Sequence, residues 1–131
     1  MGFNLLGIGI VHHDKGDYDK AEEYLDKSLA IQKETRFKVI ELATTTYLYL
    51  TYKHLGKQYD IKEIHILIKE AEKIEFELNL RLYGLLEDKS YLETAYNQVQ
   101  ETASKMEEEL KTKFLSYPIP KAIVEEWEKI K

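Results

Sequence analysis

The chain has 131 residues, 33% of them charged, a formal net charge of −5 and no cysteine. One core is enough at this length, since such a chain buries roughly two-thirds of its unfolded surface; the lack of cysteine excludes disulfides and thiolate metal sites and fits a reducing cytoplasm. Acids and bases are well mixed without a basic face, which argues against a nucleic-acid partner, and no apolar run approaches the ~18 residues of a membrane span.

Only two prolines and six glycines punctuate the chain, which favours long helices over a many-turned β fold. The start, Met1-Gly2-Phe3-Asn4, lacks the basic region and small-residue cleavage site of a signal peptide. Residues 3–11 are mostly apolar (Phe3, Leu5, Leu6, Ile8, Ile10, Val11) and predict a first helix. Asp14-Lys15-Gly16-Asp17 reads as a turn. From Tyr18 the pattern is amphipathic: Ala21, Leu25, Ser28, Leu29 and Gln32 recur at steps of three and four, opposite Glu22, Glu23, Asp26, Lys27 and Lys33.

A second pair is expected beyond it. Leu48, Tyr49, Tyr52 and Gly56 echo Ile8, Gly9, His12 and Gly16, with the two turn glycines 56 − 16 = 40 residues apart. The segment 44–52 (Thr-Thr-Thr-Tyr-Leu-Tyr-Leu-Thr-Tyr) is rich in β-formers. Its helical flanks and the lack of a partner strand predict a helix over 36–55 all the same. Tyr59, Ile61, Ile64, Leu67, Ile68 and Ala71 then follow at helical steps.

A third pair begins with the stripe Ile74, Leu78, Leu82, Leu85 and Leu86. Glu87-Asp88-Lys89-Ser90 is the turn, with Ser90 the expected N-cap and Glu93 completing a capping box. Tyr91, Ala95, Val99, Ala103, Met106, Leu110 and Phe114 predict one helix of about 25 residues. Ser116-Tyr117-Pro118-Ile119-Pro120 ends it, and Pro120 suits the first turn of a last short helix carrying Ile123, Val124, Trp127 and Ile130. Tyr117 and Trp127 are expected to pack back as a cap.

The first pair resembles a tetratricopeptide repeat. Leu5, Ile8, Gly9, His12, Gly16, Tyr18, Ala21, Leu25, Ser28 and Leu29 stand in that family's spacing over residues 2–35, with His12 in place of the usual aromatic. The resemblance implies an all-α superhelix of about three helix pairs in a single domain: repeat 1 about 2–35, repeat 2 about 36–74, repeat 3 about 75–115, and a capping helix about 119–130. Gly9 and Ala21 are small where the two helices cross. Residues 82–127 also resemble the tails of repeat regions in multidomain bacterial signalling proteins, through Ser90-Tyr91-Leu92-Glu93, Ala95-Tyr96, Phe114-Leu115 and Pro118. That likeness implies a regulatory or scaffolding segment.

In the family the first helix of each pair lines a concave groove. Carried over by position, the groove residues are Phe3, Leu6, Ile10, His13 and Asp14; then Ala43, Thr46, Leu50, Lys53 and His54; then Phe76, Asn79 and Tyr83. The lysine-and-asparagine clamp for chaperone carboxyl termini is not matched, because Leu6 and Ile10 occupy its first-repeat positions. The expected function is a non-enzymatic, cytoplasmic protein-interaction or scaffolding module that takes a helix or peptide, with a peptide-sensing regulatory domain as the alternative. Nothing points to a cofactor or metal: His12 and His13 are neighbours about 100° apart on a helix and cannot easily share one ion. No nucleophile arrangement or phosphate loop is present either. Phe3, Leu5 and Leu6 need cover, supplied by a longer repeat array or by homo-oligomerisation through the amino-terminal helices.

Overall fold

The computed structural model describes residues 2–33 and 38–131, with only the backbone of Gly2, Phe3 and Asn4. The described residues form eight α-helices and no strand: α1 (Gly2–Asp14), α2 (Tyr18–Gln32), α3 (Lys38–Leu55), α4 (Ile61–Glu70), α5 (Phe76–Leu86), α6 (Lys89–Ser104), α7 (Glu108–Ser116) and α8 (Pro118–Ile130). They group into two compact units, Met1–Lys73 and Ile74–Lys131.

In the first unit each helix packs on the next, and α1 also reaches α3. The two reversals are made by the same backbone device. After α1, the Gly16 N–H donates to the His13 carbonyl (3.0 Å) and the Asp17 N–H to the His12 carbonyl (2.9 Å), with Gly16 at φ +84°. After α3, the Gly56 N–H donates to the Lys53 carbonyl (3.4 Å) and the Lys57 N–H to the Tyr52 carbonyl (2.8 Å), with Gly56 at φ +74°. Both are Schellman closures, in which a left-handed residue lets two orphan carbonyls of the last turn find donors. The second glycine thus repeats the first in structure as well as in spacing.

Between the turns the helices cross closely. A Cβ on Gly9 would lie 2.7 Å from Cγ and 2.8 Å from Cδ2 of Leu25, a residue with no exposed surface, so only glycine fits there without repacking. Ala21, Leu25, Ser28 and Gln32 form the buried face of α2, as the periodicity predicts.

The threonine- and tyrosine-rich segment is helical. Residues 44–51 of α3 are all buried, and a helix covered on every side cannot show amphipathic periodicity. Its hydroxyls bond to the helix itself: Thr46 donates to the Leu42 carbonyl (2.7 Å) and Thr51 to the Tyr47 carbonyl (2.8 Å). The start expected for this helix at Arg36 lies outside the described residues. Asp60 caps α4 by accepting the Lys62 N–H (3.0 Å).

The second unit is built on α5, α6 and α8. Leu92, Ala95, Val99 and Ile123 are its fully buried centre, with Phe76, Tyr96, Phe114 and Trp127 among the side chains packed around them. Trp127 stacks on Tyr96 at 5.6 Å, so the expected packing of the tryptophan is seen; Tyr117 touches only the edge of Phe114 and remains 49% exposed. Pro118 and Pro120 lie in the first turn of α8, where missing N–H groups are harmless.

Two expectations here are corrected. The N-cap of α6 is Asp88 rather than Ser90: its carboxylate accepts both the Ser90 N–H (2.9 Å) and the Ser90 hydroxyl (2.8 Å). An ionised acceptor at that position also faces the positive end of the helix dipole. The single helix of about 25 residues is two helices, α6 and α7. The Ser104 hydroxyl takes the Glu101 carbonyl (2.7 Å), and the next two N–H groups bond three residues back rather than four. A side chain competing for a backbone carbonyl, followed by a tightened last turn, ends the helix without glycine or proline. Glu108 and Glu109 then open α7, again where the dipole favours acids.

The reversal after α5 uses Glu87 at φ +55°, with its N–H donating to the Tyr83 carbonyl (2.8 Å). A branched backbone position in this region is strained for any residue but glycine. Glu87→Gly is expected to raise stability by about 0.5–1 kcal/mol and Gly16→Ala to lower it by about 1 kcal/mol. Urea unfolding of the two variants checks this; a Gly16→Ala midpoint at or above that of the parent contradicts the left-handed turn.

Candidate functional site

The richest side-chain constellation lies where the ends of α1 and α3 meet the start of α2. The His13 ring is 9% exposed and stands edge-on to Tyr18 (5.5 Å), Tyr47 (5.7 Å) and His54 (5.8 Å). Its Nδ1 lies 3.1 Å from the Thr51 hydroxyl oxygen. His54 stacks flat on Tyr18 at 4.4 Å and is itself exposed. The preceding residue, His12, turns the other way, stacking on Tyr24 (5.5 Å) and lying 3.7 Å from Asp17. The two adjacent histidines therefore serve different contacts, as the 100° step between them requires. Among the described residues no group of three His, Cys, Asp or Glu side chains is placed to hold a metal ion.

A second constellation runs along α3 between α2 and α4. Tyr49 stacks with Tyr52 (6.0 Å) and with Tyr59 (5.2 Å). The middle ring and one end of this tyrosine ladder each meet a carboxylate: the Tyr49 hydroxyl donates to Glu63 (3.2 Å) and the Tyr52 hydroxyl to Asp26 (3.4 Å). Burial first, and then Glu63, pushes the Tyr49 phenol up to about 12. Burial, with Asp26 and Glu22, does the same to Tyr52, also to about 12. Burial and the Glu22 carboxylate raise Asp26, against the Tyr52 hydroxyl and the Lys57 ammonium. Lys57 grips both oxygens of Glu22, at 2.6 and 2.9 Å.

Deeper between α2 and α3, the Gln32 amide donates to the Ser28 hydroxyl (2.9 Å) and the Thr44 hydroxyl lies 2.5 Å from the Gln32 carbonyl oxygen. These buried polar groups are thus paired, as burial demands, whereas the neighbouring Thr45 hydroxyl has no hydrogen-bond partner. The amino-terminal half of α3 and α4 border an open cleft that includes Lys38, Glu41, Ile66 and Glu70. There Lys38 bridges Glu41 (3.5 Å) and Glu70 (3.4 Å), and those two carboxylates raise its pKa.

The residues expected to line a groove divide by burial. Leu6 and Ile10 are half-buried, and Asp14, Lys53 and His54 are exposed. Leu6, Ile10 and Asp14 follow at steps of four and share one face of α1. His13, Thr46 and Leu50 are instead buried and belong to the packing of α3; Ala43 is half-buried. The Phe3 side chain lies outside the described residues. Asn79 and Tyr83 fall in the second unit. Asn79 is 4% exposed, its amide donating to the Ile74 carbonyl (3.1 Å) and to Gln98 (3.0 Å), while Gln98 donates to the same carbonyl (2.8 Å). Asn79 is a structural tie that fixes the entry to α5. Tyr83 is half-buried and borders a small cleft with Gly84, Glu87, Lys89 and Ile130.

Tyr18, Tyr47 and Thr51 were not expected at this site. Their signal was the placing of aromatic and histidine residues beside both turn glycines, at His12, His13 and Tyr18 and again at Tyr52 and His54.

Both raised phenols have a consequence at alkaline pH. A proton held more tightly in the folded state stabilises it fully below the unfolded value, near 10, and that contribution is lost as pH rises through about 12. Absorbance at 295 nm should show at least two tyrosines still protonated at a pH where the exposed ones have ionised, Tyr91 also being raised by burial and Asp88, and Tyr49→Phe should remove one. Titration of all ten together, with the helices intact, contradicts the burial of the ladder.

Comparison with protein-family models, with curated proteins and with solved structures returns no match.

Proposed function

We propose that the chain is a non-enzymatic protein-interaction module of the tetratricopeptide kind, serving a signalling or regulatory system. The observation that carries this reading is the structural repeat: two helical hairpins closed by the same left-handed turn, 56 − 16 = 40 residues apart, stacked α1 on α2 on α3 on α4. Stacked hairpins expose extended helix faces suited to a helical or extended peptide.

The face proposed for binding in the first unit is the strip Leu6, Ile10 and Asp14 of α1, with Lys53 and His54 at the end of α3. It combines a narrow apolar stripe with an acid, a base and an imidazole at one end. The fitting partner is an amphipathic segment with two apolar anchors a helical turn apart and a polar residue beyond them. The hydroxyl that lies beside an imidazole, Thr51 against His13, is fully buried and donates to the Tyr47 carbonyl, which favours packing and binding over catalysis.

Selection of helical peptides displayed against the full chain tests the reading. Binders at micromolar affinity are expected, and Ile10→Glu should weaken them about tenfold or more, the loss typical of a central anchor. Binders indifferent to Ile10→Glu and to His54→Glu together would move the function off this strip.

A further inference from the structure

Helix α1 has a second open face beside the strip just described, sharing Asp14 with it. Gly7, Ile8, Val11 and Asp14 are all exposed, with Ile8 at 41% and Val11 at 49%. Shifted by the 40 residues that separate the two turns, these positions become Tyr47, Leu48, Thr51 and His54 of α3. Those residues form the side by which α3 docks on the α1–α2 hairpin. Thr51 and the rings of Tyr47 and His54 meet His13, His54 lies on Tyr18, and Tyr47, Leu48 and Thr51 retain 3% exposure or less. The same face is thus a docking face in one repeat and open in the other.

The receiving side has a counterpart as well. On the α1–α2 hairpin, α3 is met by His13 and by Glu22 and Asp26, which hold Lys57 and Tyr52. His13 corresponds to Lys53. The buried residues of α4, Ile64 and Leu67, match Leu25 and Ser28 of α2 at a shift of 39. That shift carries Glu22, Asp26 and Leu29 to Ile61, His65 and Ile68. Of the receiving residues, Lys53 and His65 are exposed, and Ile61 and Ile68 are half-buried.

We propose that α1 of one copy docks head to tail on the α3–α4 hairpin of a second copy, as α3 docks on the α1–α2 hairpin within the chain. Inside the chain, Glu22 faces Lys57 and Asp26 faces Tyr52. Between copies, Ile61 takes the place of Glu22 and Asp17 that of Lys57, while Ile8 and Val11 take the places of Leu48 and Thr51 on the docking side. Asp14 takes the place of His54 and Lys53 the place of His13, so opposite charges meet where two imidazoles meet internally. His12 and His65 replace Tyr52 and Asp26 and meet as two rings, which is compatible with docking while both are neutral. The interface is heterologous, so association is open-ended rather than closed at a dimer. It uses the outer face of α1 and shares Asp14 and Lys53 with the strip proposed for peptide binding, but not Leu6, Ile10 or His54.

The test is sedimentation velocity of the full chain at pH 8, up to about 1 mM, because a helix-on-hairpin contact falls in the small, weak class of interfaces. The parent should show mass increasing with concentration. Val11→Glu, which blocks the docking face, and the double variant Lys53→Glu with His65→Glu, which blocks the receiving face, should each be monomeric with parental helical circular dichroism. An equimolar mixture of the two should stop at a one-to-one complex, since each keeps the half the other lacks. A parent that stays monomeric overturns the proposal. So does association that survives the Lys53→Glu/His65→Glu change, which would mean symmetric pairing through α1. Should Val11→Glu fail to fold, the exposed pair decides: Asp14→Lys or Lys53→Glu alone weakens association at least fivefold, and the two combined restore it. Equal loss in the singles and the combination overturns the proposal.

Discussion

One buried imidazole joins three helices of the first unit. His13 leaves α1 at its last turn and lies against Tyr18 of α2 and against Tyr47, Thr51 and His54 of α3. A polar ring with so little surface is tolerable only while its nitrogens are served, and a buried group left without a partner costs about 1–3 kcal/mol. Its position is set by the turn at Gly16, which takes the His13 carbonyl as one of its acceptors. Backbone reversal and interhelical contact are therefore fixed by the same residue, and α3 docks only if α1 ends where it does.

The sequence carried this first hairpin clearly, because each constraint has its own residue signature. Gly9 is small for Leu25, Gly16 is left-handed, and Ala21 and Leu25 keep the helical step. The second hairpin was legible through Gly56, although α3 hid its helical character: a helix buried all round looks in sequence like a run of strand-formers. Here packing overrides local preference, and the threonine hydroxyls assist by bonding to their own carbonyls.

Less was legible beyond residue 86. The break between α6 and α7 carries no glycine or proline, and its apolar stripe runs on from Ala103 through Met106 to Leu110 as if the helix continued. What ends it is a serine hydroxyl taking a backbone acceptor, a competition that periodicity does not register. The shift of the cap from Ser90 to Asp88 has a similar origin, since both residues suit the role and only the backbone path selects between them. Among the residues expected to line a groove, Leu6 and Ile10 are half-buried and Asp14, Lys53 and His54 are exposed. Thr46 and Leu50 are buried instead, because α3 packs against α1, α2 and α4.

The hydroxyl-lined α3 has a mechanical side. Thr46 returns its hydrogen to its own helix, so at that position neighbours are held by shape, with no bond direction to satisfy. Directional ties between α3 and the first hairpin are concentrated elsewhere: at Thr44 with Gln32, at Thr51 with His13, and at the Tyr52–Asp26 and Lys57–Glu22 contacts near the turn. The angle between the two hairpins of the first unit is thus set at these few ties and not along the whole length of α3.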